Sequence, residues 1–283
     1  MKRRILKEEF NNSSADRIEG LLARLEKVPE GKAVVDFLRA NKVEIKLKKD
    51  PANWAASTLT ITGIKDGLYQ YKDPVIILKK SLSDDNLLQA IVHESQHLKQ
   101  HLSGVGNPDR VLSEKEYILF YRAAEADAQA LCTHVTWKLK EAGDAGPWEA
   151  AKFVGYADIC DAYEKVVTDG PDDTKALRTA FDAWFDKPER LAGYNKSTVD
   201  SMIPFLKKGR EEVFKDHGLT EKPLDATWLD KLDKAAHSPY LLAHAERDLL
   251  TEEHFIRDTH TRPPEKKKAP ANENRRPDIP GAA

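Results

Sequence analysis

Apolar positions recur along this chain at two different spacings, and the switches between them mark its elements. From Ser14, the segment ADRIEGLLARLEKV sets Ile18, Leu21, Leu22 and Leu25 at helical intervals. A second helical stretch follows from Lys32 to about Ala40, after the punctuation of Pro29 and Gly31. The spacing then becomes alternate. Val43 to Leu47 reads V-E-I-K-L, Thr58 to Ile64 is rich in β-branched residues, and Asp66-Gly67 signals a hairpin before Leu68 to Tyr71. Asp73-Pro74 leads into Val75 to Leu78, the strongest strand pattern in the chain. A small sheet is thus predicted directly before the helical spacing returns.

It returns at Leu87 to Leu102, LLQAIVHESQHLKQHL, where Leu87, Leu88, Ile91, Val92, Leu98 and Leu102 make one apolar side. Ser83 fits the N-cap, Asp84 and Asp85 suit the positive helix end, and Gly104 can stop the helix. A capping box, Ser113-Glu114-Lys115-Glu116, opens a second long helix from Glu114 to about Lys140. After Gly143 to Pro147, helices are predicted over Trp148–Thr168, Leu177–Phe185, Ser197–Lys207 (kinked or begun at Pro204) and Leu224–Ala236. The expected organisation is a loose leader (1–13), an α+β domain (14–142), a helical extension (147–258) and a disordered tail (259–283). The extension is expected to pack behind or over the cleft of the first domain.

Composition narrows the setting. Forty per cent apolar residues can build one large core or two smaller ones, and 33% charged residues favour solubility. No run of eighteen apolar residues occurs and the first residues lack the apolar stretch of a signal peptide, so a cytoplasmic, non-membrane protein is expected. Cys132 and Cys160 lack C-x-x-C spacing and read as reduced, small apolar residues. The formal charge of −2 gives no general attraction to nucleic acid. Only the tail, with six basic against three acidic residues from Arg262 to Ala283, offers a basic segment that could dock on an acidic surface or nucleic acid.

The chemistry sits in the third predicted helix. His93, Glu94 and His97 spell H-E-x-x-H. Residues four apart on a helix lie roughly 40° apart around it and about 6 Å along it, so both imidazoles can face one ion. Glu94, one step round, can reach water at that ion without being a ligand. A third histidine at position 103 would extend the motif, but that residue is Ser103, and His101 lies about 12 Å beyond His93 on a straight helix. His101 therefore reads as a rim or solvent-side histidine. Glu125 stands among Ala123, Ala124, Ala126, Ala128 and Ala130, small residues that let another helix approach. It is either a third ligand or a helix-forming glutamate on the wet side.

HESQH followed after 27 residues by Glu125-Ala126-Asp127 resembles the glutamate-zincins, most closely small bacterial and phage metallopeptidases with an RAxEADAxA-like second helix. The resemblance covers residues 14 to 142. It implies a zincin-like domain whose edge strand pairs with an extended peptide, and one zinc per chain on His93, His97 and Glu125. Glu94 would be the general base, and the substrate a peptide or protein. Asp127 corresponds to the supporting acidic residue and, about 160° round the helix from Glu125, is expected to brace a backbone group or basic side chain. Tyr117, Tyr121, Tyr194, His237 and Tyr240 are candidate donors to a developing oxyanion. Two other readings stand beside general peptidase activity: a non-catalytic, metal-stabilised binding or virion-associated protein, and a regulatory protease acting on a single partner.

Overall fold

The computed structural model describes residues 2–49, 55–65, 68–105, 114–197, 226–236, 240 and 241. Its elements are α1 (Lys2–Leu25), α2 (Pro29–Ala40), β1 (Glu44–Lys48), β2 (Ala55–Lys65), β3 (Leu68–Lys79), α3 (Asp84–Leu102) and α4 (Glu114–Glu141). There follow α5 (Gly146–Ala151), α6 (Ala157–Asp169), α7 (Asp173–Ala183), α8 (Pro188–Ser197) and α9 (Ala226–Ala235). The class is α+β and mostly helical, with one three-stranded mixed sheet in the order β1-β3-β2. None of the described helices is long and apolar enough to cross a membrane.

α1 and α2 meet closely at Gly31, where a Cβ would lie 2.2 Å from the Leu25 carbonyl oxygen. α1 begins at Lys2, so residues 2–13, which read as a loose leader, carry helical backbone. β1 runs parallel to β3 and β2 antiparallel to it. The strands expected at Leu68–Tyr71 and Val75–Leu78 are one strand. Asp73 takes a positive φ of 50°, and between Thr58↔Val75 and Thr60↔Lys72 the pair Asp73-Pro74 opposes the single residue Leu59. A β-bulge therefore absorbs the proline, whose missing N–H would have broken a regular ladder.

α4 is the wall between two cores. One of its sides (Leu131, Cys132, Val135, Leu139) packs with Leu21, Leu25, Val35, Ile76, Leu88 and Ile91. Its other side (Ala123, Ala126, Ala130, Trp137) packs with Trp148, Tyr163, Leu177, Phe181 and Trp184 of the helical half. Cys132 and Cys160 are buried, unbridged thiols, one in each core.

Two expectations about the helical half change. The single helix expected over Trp148–Thr168 is broken into α5 and α6 by a π-turn (Lys152–Tyr156), where Gly155 takes φ 109°. The apolar periodicity carries on across this kink, which is why it is invisible in the pattern. α8 was not predicted, because its apolar residues are few; it is set by Pro188 at the first turn and by Leu191 and Tyr194 facing the core. Apart from Ser197, the last residue of α8, the helix expected over Ser197–Lys207 lies outside the described residues, as do the Ser113 cap, Asp66-Gly67 and the tail from 259.

Candidate metal centre

The helix that carries the H-E-x-x-H motif is fixed at both ends and along one side. The Ser83 hydroxyl accepts from the Asn86 N–H at 3.3 Å. At the other end, Gly104 (φ 77°) donates to His101 O and Val105 N–H to Gln100 O. Leu87, Leu88, Ile91, Val92 and Leu98 are fully buried, so the backbone cannot roll, and His93 and His97 are turned towards α4. The alanines around Glu125 are buried between the helices and let the two backbones close up.

His93 Nε2 and His97 Nε2 stand 3.1 Å apart, and each lies 3.3 Å from one oxygen of Glu125. Tetrahedral zinc with ligands at about 2.0–2.2 Å requires neighbouring donor atoms about 3.3–3.6 Å apart. The trio's two imidazole–carboxylate edges match three corners of such a site and its imidazole–imidazole edge is slightly short, with the three side chains between 8 and 17% exposed. Its donor set of two imidazoles and one carboxylate fits a divalent ion of the zinc type. Glu94 is buried beside the trio but is not one of the converging groups; its charge acts on His97 and Tyr121.

Without an ion the three groups hold one another electrostatically. Burial works against charge on His97, but Glu125, with smaller contributions from Glu94 and Gln100, outweighs it and raises the imidazole pKa to about 9. Burial likewise works against the Glu125 carboxylate, and the two imidazoles overcome it, holding the group well below the usual range. Tyr121, one turn before Glu125, is pushed up by burial and by its hydrogen bond to that carboxylate.

A chain of hydrogen bonds runs back from the trio. His97 Nδ1 lies 3.0 Å from Gln100 Oε1, and Gln100 Nε2 donates to Asp127 Oδ2 (2.7 Å) and to the Ala124 carbonyl (2.9 Å). Asp127 also accepts from Gln96 Nε2 and from the Tyr240 hydroxyl, both at 2.7 Å. The expectation that Asp127 braces a backbone group or basic side chain is therefore corrected: its partners are two amides and a phenol. The nearby Lys99 ammonium goes instead to the Ala236 carbonyl at 3.0 Å. Burial raises the Asp127 pKa, and the three donors oppose that shift.

Gln96 and Gln100 were missed in the sequence, although each follows a motif histidine by three residues, a spacing at which helix side chains meet. Tyr240, a candidate oxyanion donor, is committed to Asp127 and buried. Tyr121 and Tyr194 are both close enough to Glu125 to feel its charge, as is Tyr156, which hydrogen-bonds Tyr194 and was not singled out. His101 sits exposed in the last turn of α3, outside the converging trio but close enough to feel the charge of His97, and His237 lies outside the described residues.

A helix-borne pair of imidazoles and a carboxylate from a second helix form a donor set that could hold a metal ion. The chain belongs to the Putative metallopeptidase family (DUF6782), whose profile matches residues 6–213. That membership implies a metal-dependent hydrolase acting on peptide bonds. The matched span contains α3, α4 and the helical half through α8; α9 and Tyr240 lie beyond it. No curated protein and no solved structure gives a significant match.

Proposed function

We propose that the chain is a zinc peptidase of the glutamate-zincin type, with a zincin-like arrangement of sheet and helices. In this reading His93, His97 and Glu125 hold one zinc ion, and Glu94 is the general base. The observation that carries it is the convergence of three donor atoms from two helices at separations of 3.1 to 3.3 Å. The ion, when bound, supplies Lewis acidity to water and to the scissile carbonyl.

The protein's own groups do the rest. Glu94 takes the proton of the attacking water and delivers it to the leaving amine. Gln100 holds the His97 ring by its Nδ1, which leaves Nε2 to face the ion. Tyr121 is committed to a hydrogen bond with the Glu125 carboxylate, so Tyr194 is the better candidate for a donor to the oxyanion. β2 is an edge strand of the sheet and packs beside α3, which supports an extended peptide as substrate. The intact Glu94 favours catalysis over a purely structural metal site.

The test is elemental mass spectrometry on protein purified without a metal-affinity tag, coupled to a peptide-cleavage assay. Glu94→Gln is expected to keep its zinc and lose at least about 100-fold in rate, while Glu125→Ala loses the ion. Cleavage by Glu94→Gln at the wild-type rate would remove Glu94 as the base. Zinc content unchanged in Glu125→Ala would remove the third ligand.

A further inference from the structure

A second group of potential ligands lies where three helices meet. Glu30 comes from the first turn of α2, His134 from the middle of α4 and Asp173 from the start of α7. One donor atom from each lies within 4.8 Å of the others. His134 is 2% exposed, and its Nδ1 lies 2.6 Å from the Tyr163 hydroxyl, a hydrogen bond that fixes the ring. Glu30 Oε2 is buried with no hydrogen-bond partner. A buried carboxylate oxygen left without a donor is costly, and a cation removes that cost.

The Lys138 ammonium lies 2.9 Å from Asp173 Oδ1 and 3.6 Å from Glu141 Oε2 and is close enough to feel the charge of Glu30, but it makes no hydrogen bond to the orphaned oxygen. Glu141 gives it somewhere to go when Asp173 turns. Each carboxylate also suits the positive end of its own helix, which explains its presence there but not its convergence on a buried imidazole.

We propose that Glu30, His134 and Asp173 form a second divalent-metal site, distinct from the His93, His97 and Glu125 centre and structural in role. One imidazole and two carboxylates select a first-row divalent ion such as zinc over calcium or magnesium. Glu30 belongs to the core built on α1, α2 and the sheet, and Asp173 to the helical half, so the ion cross-links the two across α4. The separation of up to 4.8 Å is wider than a bound zinc allows, and the half-exposed Asp173 side chain is the one free to close it.

Elemental analysis of the full chain, equilibrated with zinc and desalted, tests this with wild type, Glu125→Ala, Glu30→Gln and Asp173→Asn. Both partly exposed carboxylates are chosen because loss of the buried His134 would risk the fold. About two zinc ions per wild-type chain are expected, and about one in each variant. Zinc should also raise the melting temperature of Glu125→Ala, and no longer do so once Glu30→Gln is added. One ion in wild type that is lost in Glu125→Ala and kept in Glu30→Gln would overturn the second site. One ion kept in Glu125→Ala and lost in Glu30→Gln would support it while removing the first centre, so the two readings fail separately. No zinc in wild type would overturn both.

Discussion

Replacing Gln100 by methionine keeps side-chain length and volume but removes both ends of the link between His97 and Asp127. Gln100 is 3% exposed, so water does not replace what is lost. Asp127 loses one of three donors, a bond to a charged group worth about 1.5–3 kcal/mol, and His97 Nδ1 loses a partner worth about 1 kcal/mol more. The Ala124 carbonyl loses a 2.9 Å bond but remains within the helix ladder, so its share is small. The expected loss of stability is about 3 kcal/mol. Urea unfolding of the metal-free protein measures it as a drop in midpoint at constant slope. A freer His97 ring should also weaken zinc binding by roughly 10- to 100-fold, the usual effect of removing a partner behind a metal ligand. An unchanged unfolding midpoint together with unchanged zinc affinity would refute the link from Asp127 to His97.

Gly31→Ala sets a methyl group 2.2 Å from the Leu25 carbonyl oxygen, backbone against backbone, and should cost roughly 3 kcal/mol in chemical denaturation. Arg24 bonds Asp144 (2.9 and 2.8 Å) and Asp85 (2.7 Å), tying α1 to the loop after α4 and to the start of α3. Its hydrogen bonds hold the Asp144 pKa below the usual value, so this stabilisation is present above about pH 4 and lost as pH falls through the lowered pKa. Arg24→Ala should remove that part of the acid dependence, read as a flatter melting temperature between about pH 5 and 2. In the metal-free protein His97 has a raised pKa, so its contribution is complete below the unfolded value near 6.5 and disappears as pH rises through about 9. Melting temperatures across that window should fall in wild type and stay level in Glu125→Gln; the same fall in the variant would show that Glu125 is not the partner.

What the sequence determined about this protein is local. The limits of α3 were legible because the Ser83 cap, the apolar stripe and the Gly104 stop each act within a turn or two of themselves. The shared face of His93 and His97 follows from a spacing of four on any helix. The α+β class, with a small sheet ahead of α3, was legible in the change from alternate to helical spacing. Tertiary structure decided what depends on how separate elements meet. It brings Glu125 within 3.3 Å of both imidazoles, routes Asp127 to Gln96, Gln100 and Tyr240, and makes α4 a wall between two cores. It also carries β3 through Pro74 on a bulge and breaks the helix at Gly155. Periodicity records which side of an element is apolar, because burial acts on each element separately. It holds no record of which polar groups two elements bring together, because those contacts exist only after the helices have packed.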